Sequence, residues 1–164
     1  MKGKTLIFIR HAKSSWAHEA SDIDRPLKEK GKKDADIISR NFIDKNYVID
    51  FIYSSPAKRA YSTCKIFQKN LNWSDNKVSV INQLYDFGGE SVLNFINNLD
   101  DKLDTVAIFG HNYALTSLIN LMGDKNLDNF PTSGLAVLKF DIESWKFAKY
   151  GQTELFMFPR DFRP

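Results

Sequence analysis

Short apolar runs rich in β-branched and aromatic residues alternate along the chain with longer segments of helical period, the arrangement of strands and crossover helices in an α/β fold. Thr5 to Ile9 and Thr105 to Phe109 are near-continuously apolar, as strands covered on both faces must be, and Phe51 to Tyr53 and Val78 to Ile81 supply two weaker strands. Helical spacing links Ala35, Ile38, Phe42 and Ile43, then Ala57, Ala60, Cys64, Phe67 and Leu71. Ser55 is placed to cap this second helix and Pro56 suits its first turn. Two shorter helices follow, one through Val92, Phe95, Ile96 and Leu99 and one through Leu115, Leu118, Ile119 and Met122 that ends before Gly123. After Pro131 the period becomes that of strands, at Leu135 to Phe140 and again within Phe147 to Phe158 around Gly151, a pair that a hairpin across Glu143 and Ser144 would join. The pattern predicts a single three-layer α/β/α domain over residues 1–164, with a mainly parallel sheet.

Composition narrows this picture. With 164 residues, 43% of them apolar, the chain has material for one real core and little for a second domain. The formal charge is +3, and its lysines and arginines are scattered rather than blocked, which argues against a nucleic-acid arm while suiting an anionic substrate. The lone Cys64 excludes an intramolecular disulfide and a cysteine-based zinc cluster, and fits a reducing compartment. The run Leu6 to Ile9 is too short for a signal-peptide core and no stretch approaches a membrane span. The expectation is a cytoplasmic protein with neither membrane nor nucleic-acid partners.

Two histidines stand at the ends of the two clearest strands: Arg10-His11 follows Leu6 to Ile9, and Gly110-His111 follows Val106 to Phe109. Ligands of open α/β sheets bind beyond the carboxyl ends of the strands, so both imidazoles are candidates for one pocket. A single histidine at a strand end is more often a packing residue, but two of them, one beside an arginine, favour a site. Arg59 lies in the first turns of the Pro56 helix, where a cation is disfavoured by the helix dipole unless an anion is bound nearby. With Arg10 it could clamp a phosphoryl group from two sides, and the helix amino terminus at Ser55 would add backbone donors. Two arginines and two histidines around a phosphate-sized space suggest phosphoryl transfer through a histidine nucleophile, held neutral by the nearby guanidinium charges. Cationic side chains then supply the charge stabilisation that a metal provides elsewhere, so neither metal nor cofactor is expected. No Walker loop, His-Glu-x-x-His or Gly-x-Ser-x-Gly is present.

These residues resemble a known family. Arg10-His11-Ala12-Lys13 resembles the Arg-His-Gly signature of the histidine phosphatase, or phosphoglycerate mutase-like, superfamily. Further matches follow in order: Arg25-Pro26-Leu27 with Gly31, Ser54-Ser55-Pro56 with Arg59-Ala60 and Thr63, Gly110-His111-Asn112, and Pro131-Thr132-Ser133-Gly134. The spacing and small size are most similar to the SixA-type phosphohistidine phosphatases. The resemblance implies a phosphoglycerate mutase-like fold in which His11 is the phosphorylated nucleophile and Arg10, Arg59 and His111 complete the phosphate pocket. Lys13 and the backbone at Asn112 are further candidates for phosphate contact.

The sequence departs from the family at two places. Ala12 replaces the usual glycine after the nucleophile, and the best-placed carboxylate for a proton donor is Asp86, although Asp86 and Glu90 equally suit loop positions beside Gly88-Gly89. An alkoxide leaving group needs a strong general acid, whereas the imidazole of a phosphohistidine leaves more easily, so a weak acid favours a phosphoramidate substrate. The short chain leaves few residues for a lid, which suits a histidine presented on a protein surface. The expected function is removal of phosphoryl groups from phosphorylated proteins, a histidine-phosphotransfer protein among the candidate partners. A small phosphomonoester substrate and a non-catalytic phosphoprotein-binding module are the alternatives.

The remaining features read more plainly. Trp16 in the loop after the nucleophile lines the pocket, meets a partner or simply packs, and His18 reads as a surface residue. Asp22, Asp24 and Arg25 form a local cluster shaping this loop, and Lys28, Lys30, Lys32 and Lys33 read as a solvated helix face that could also steer an acidic partner.

Overall fold

A computed structural model describes residues 3–16 and 19–163. His18 lies outside the described residues. Among the described residues six strands and four α-helices follow one another as β1 (Lys4–Arg10), α1 (Glu29–Ile43), β2 (Phe51–Ser54), α2 (Lys58–Leu71), β3 (Val78–Val80), α3 (Glu90–Asn97), β4 (Thr105–Gly110), α4 (Ala114–Met122), β5 (Leu135–Phe140) and β6 (Gln152–Met157). They build one sheet in the order β3-β2-β4-β1-β5-β6. The first four strands run parallel, β5 pairs antiparallel with β1, and β6 with β5. The result is a single α/β domain with a mostly parallel sheet.

The near-continuous apolar character of β1 and β4 follows from their central place. Leu6 and Phe8 enter one core with Val106, Ile108 and residues of α3 and α4, while Ile7 and Ile9 enter the other with Ala107, Phe109 and residues of α1 and α2. Alternate residues thus serve opposite faces, and neither face is left to solvent. Each fully buried side chain of this size contributes about 1.5–3 kcal/mol relative to exposure.

This layering places the site. β1 is followed by α1 on one face and β4 by α4 on the other, so the chain diverges between two neighbouring parallel strands, the position where α/β sheets open a crevice. Gly31 lets α1 approach that crevice, because a Cβ there would lie 2.3 Å from the carbonyl oxygen of Lys13.

Several boundaries differ from the pattern-based expectation. α1 does begin at Glu29, in the lysine-rich stretch read as a solvated helix face. α2 begins at Lys58 with Ala57 at its cap, and Ser55 Oγ, just before it, accepts the N–H of Ala57 as well as meeting His111. β3 lies at the sheet edge and stops at Val80, which is 46% exposed. β5 and β6 do pair, but no tight hairpin joins them at Glu143 and Ser144: a 3-10 turn at Trp145–Phe147 intervenes, anchored by buried Trp145, whose Nε1 donates to the carbonyl of Leu103 at 2.7 Å. Among the described residues no helix is long and apolar enough to cross a membrane.

Candidate active site

Strand register brings the two histidines together. Arg10 is paired with Gly110 across the parallel β1–β4 ladder, so His11 and His111 leave neighbouring strands at the same level. The backbone N–H of His11 donates to the carbonyl of Gly110 at 3.1 Å, and the two imidazole centroids are 5.3 Å apart. β2 ends one strand further along at Ser54, and the N–H of Ser55 donates to Phe109 at 3.0 Å, which delivers the start of α2 and Arg59 to the same edge. On the other side the N–H of Ser133 donates to the carbonyls of Arg10 and His11 at 3.1 and 3.2 Å.

His11 is 7% exposed. Its Nδ1–H donates to the carbonyl of Ala12 at 2.7 Å, which fixes the proton on Nδ1 and leaves the lone pair on Nε2. The loop is pinned from beneath: Thr63 Oγ1 accepts the N–H of Ala12 at 2.8 Å and donates to the carbonyl of Arg59 at 2.7 Å. Burial, reinforced by the charges of His111, Arg59 and Arg10, lowers the pKa of His11 to about 3, against a weaker opposing effect of its bond to Ala12. Burial and the charge of Arg59 lower His111 to about 3 as well. Both rings are therefore neutral at physiological pH.

Around them stand three guanidinium groups. Arg59 is buried, its Nη1 donating to the backbone carbonyl of Asp22 at 2.6 Å and its Nη2 to the Asp22 carboxylate at 3.0 Å. Arg10 Nη1 donates to the carbonyl of Phe130 at 2.8 Å. Arg25, also buried, donates to Ser14 Oγ and lies with its guanidinium carbon 3.5 Å from the centre of the Trp16 ring. Among the described residues the buried Nε of each arginine and the buried Nδ1 of His111 have no hydrogen-bond partner. Arg10, His11, Asp22, Arg25, Arg59 and Asn112 are among the residues lining an open cavity of about 410 Å³. Burial and the charge of Arg59 depress the pKa values of Arg10 and Arg25, the cost of collecting cations at one place. Such an arrangement is pre-organised for a compact multivalent anion.

The histidine phosphatase superfamily (branch 1) model matches residues 6–89, the stretch from β1 through β2 and α2 that carries Arg10, His11 and Arg59. The chain belongs to this superfamily. Its fold is phosphoglycerate mutase-like, and within the superfamily it is of the SixA type. The protein assigned as phosphohistidine phosphatase SixA of Agrobacterium tumefaciens is 33% identical, with a TM-score of 0.74 over 82% of this chain and 90% of that one. A protein histidine phosphatase SixA complexed with tungstate is 20% identical and superposes with a TM-score of 0.79 over 97% of this chain and 99% of its own, a likeness of fold. An uncharacterized protein of Mycobacterium tuberculosis is 26% identical over 141 residues, 80% of this chain and 86% of its own length. Homologues in this superfamily are phosphatases, and phosphatase chemistry is the class of activity to which the chain is assigned.

The histidine phosphatase brings together Arg10, His11, Arg59 and His111, as the strand-end reading expects. Lys13 is exposed on the cavity wall. Asn112 lines the cavity too, but its side chain is committed: Nδ2 donates to Asn129 Oδ1 at 2.8 Å, and Oδ1 accepts from the Thr116 hydroxyl at 2.8 Å. Asp86 stands apart from the set. Its Oδ1 accepts the N–H of Gly88 and its Oδ2 those of Gly89 and Val92, each at 3.1 Å, so the carboxylate holds the turn into α3. Glu90 is exposed at the start of α3.

Sequence reasoning missed several members of the site. Asp22, expected in a local loop cluster, does pair with Arg25 at 3.7 Å, yet its carboxylate, on the cavity wall, also accepts from Arg59 and from the hydroxyl of Tyr85. Those partners hold Asp22 below the usual carboxylate range, the Tyr85 hydroxyl most strongly. Tyr85 and Phe87 pack against the His111 ring at 5.4 and 5.1 Å. Ser55, expected as a helix cap, accepts the N–H of Ala57 and also has its Oγ 2.8 Å from His111 Nε2.

Proposed function

We propose that the protein is a cofactor-independent phosphohistidine phosphatase acting on phosphorylated proteins through a covalent phosphohistidine at His11. The observation that carries this reading is the tautomer of His11: with Nδ1–H spent on Ala12, the lone pair of Nε2 is the ring's free nucleophile, beside Arg10, Arg59 and His111. In the first step Nε2 attacks phosphorus in line, the P–N bond of the substrate breaks, and its imidazole departs with the proton already on the ring. The arginines and His111 stabilise charge spreading over the phosphoryl oxygens, with Lys13 and the backbone at Asn112 as outer contacts. In the second step water attacks phosphorus, the P–Nε2 bond breaks, and phosphate is released with His11 regenerated.

The substrate class rests on the state of the two carboxylates weighed as proton donors among the described residues. Asp86 is occupied by backbone N–H groups, and Asp22, the carboxylate on the cavity wall, is held ionised by Tyr85 and Arg59. An ionised carboxylate does not protonate an alkoxide, whereas a protonated imidazole needs no such help. The open cavity suits a side chain projecting from a protein, such as that of a histidine-phosphotransfer protein.

The decisive test is turnover of a phosphohistidine peptide beside sugar phosphates, with acid-free trapping of phospho-His11. Preference for the peptide and loss of turnover in His11→Ala are expected. Preference for the sugar phosphate, or activity of the variant within about tenfold of wild type, would overturn the reading.

A further inference from the structure

A second cavity, of about 220 Å³, adjoins the phosphate pocket, and the two share Lys13 and Thr132 on their walls. Its chemistry is cationic. Lys30, from the first turn of α1, and Arg160 line it with Lys13, while Lys28 lines the phosphate pocket beside them. Asp34 is the carboxylate on the wall of the second cavity, and it is buried and already paired with Arg163 at 2.6 Å.

Among the described residues none of Lys13, Lys28, Lys30 and Arg160 has a carboxylate within 4.0 Å. The strip thus presents four cations without a paired carboxylate beside the phosphate pocket. Lys28 and Lys30 also flank the amino-terminal end of α1, where the helix dipole disfavours cations and favours anions. Arg160 is held in place with its guanidinium carbon 5.0 Å from the centre of the Phe158 ring.

We propose that this strip is a docking surface for an acidic polypeptide segment next to the phosphorylated residue, so that the protein selects phosphoproteins whose phosphoryl-bearing site is flanked by aspartate or glutamate. The inference rests on the phosphoprotein reading of the adjoining pocket and adds to it the character of the flank. Continuity of the two cavities supports a polypeptide occupant: a chain seated by its phosphoryl group passes Lys13 and reaches Lys30 and Arg160 without leaving the surface. Exposed charges of this kind act chiefly on encounter and on partner choice.

The test uses fluorescence anisotropy with the full-length protein and peptides carrying a non-hydrolysable phosphonate analogue of phosphohistidine, one with acidic and one with neutral flanks. Wild type is expected to bind the acidic peptide about three- to tenfold more tightly at low salt. Lys30→Glu combined with Arg160→Glu is expected to abolish that preference while affinity for the neutral peptide stays within about twofold. Raising the salt should erase the preference in wild type and change the variant little. Equal affinity of wild type for both peptides, or a preference that survives in the variant, would overturn the proposal. Competition by a small bisphosphorylated compound, strong in wild type and lost in the variant, with no preference between peptides, would overturn it in favour of a small dianionic ligand. A peptide preference found with a protein that fails to hydrolyse phosphohistidine would uphold the strip and reject the reaction, so the two failures are distinguishable.

Discussion

Ser55 Oγ lies 2.8 Å from Nε2 of His111 and accepts the N–H of Ala57 at 3.2 Å. A neutral imidazole carries one proton, so His111 can donate to a phosphoryl oxygen from Nδ1 only if Nε2 accepts, and the Ser55 hydroxyl is the group placed to donate to it. Ser55 is therefore a positioning residue acting through His111. Ser55→Ala should lower kcat on the order of 10- to 100-fold, the range for loss of a partner that orients a functional imidazole, with a smaller change in KM. Restoration of most of the activity by Ser55→Thr separates this role from simple packing. An unchanged kcat in the alanine variant would refute it.

The depressed pKa values of the two histidines make acid stability a second test. Unfolded histidine titrates near 6.5, and His11 and His111 titrate at about 3 in the folded protein, so between these values the unfolded chain binds more protons than the native one. Stability from each ring is complete above about pH 6.5 and is lost as pH falls toward 3, at up to about 1.4 kcal/mol per pH unit. Lowering the pH from 7 to 5 should cost wild type about 1–2 kcal/mol more than His11→Ala, by denaturant unfolding at the two pH values. An identical acid sensitivity of the two proteins would show that His11 is not buried neutral. The same argument places the acid limb of kcat/KM below pH 6.5 so far as the nucleophile is concerned.

Asp22 sits where it both orders Arg59 and repels the anion that Arg59 is to bind. Asp22→Asn keeps an acceptor for the Arg59 N–H group and removes the negative charge from the cavity wall. Inorganic phosphate should then inhibit several-fold more strongly, on the order expected for one partly screened charge. The Tyr85 hydroxyl, whose pKa is raised first by its hydrogen bond to Asp22, should titrate closer to its ordinary value in the variant, as read by ultraviolet absorbance. Weaker phosphate inhibition would mean that Asp22 acts mainly by holding Arg59 in place.

What could be read from the sequence and what could not divides along physical lines. β1 and β4 were legible because burial on both faces imposes near-continuous apolar runs, and the histidines and Arg10 were legible because they terminate those runs. Arg59 was legible as a cation near a helix start. Asp22, Ser55 and Thr63 stand out in the sequence, but their bonds to Arg59, His111 and Ala12 do not, because those partners lie 37, 56 and 51 residues away and a polar side chain carries no periodic signal for such pairing. α2 begins at Lys58, beyond Pro56, although the Ser55 oxygen accepts the N–H of Ala57 as a cap would while also meeting His111. The first turn of α1 was legible only as a charged helix face, since it shows no apolar stripe, and the packing of its Gly31 against Lys13 leaves no trace in the pattern.

Asp86 provides the sharpest separation of stability from chemistry. Its two oxygens accept three backbone N–H groups at the turn into α3, which are left without a side-chain acceptor if the carboxylate is removed. Asp86→Ala should therefore destabilise the fold by about 1–2 kcal/mol, as loss of a helix-start acceptor does. Its effect on kcat for a phosphohistidine peptide should stay within about threefold at a temperature where the variant remains folded, since the departing imidazole brings its own proton. Asp86→Asn retains one acceptor oxygen and should be intermediate in stability. A fall in kcat of a hundredfold or more in Asp86→Asn, with thermal unfolding unchanged, would instead make Asp86 the proton donor and would move the substrate toward phosphomonoesters.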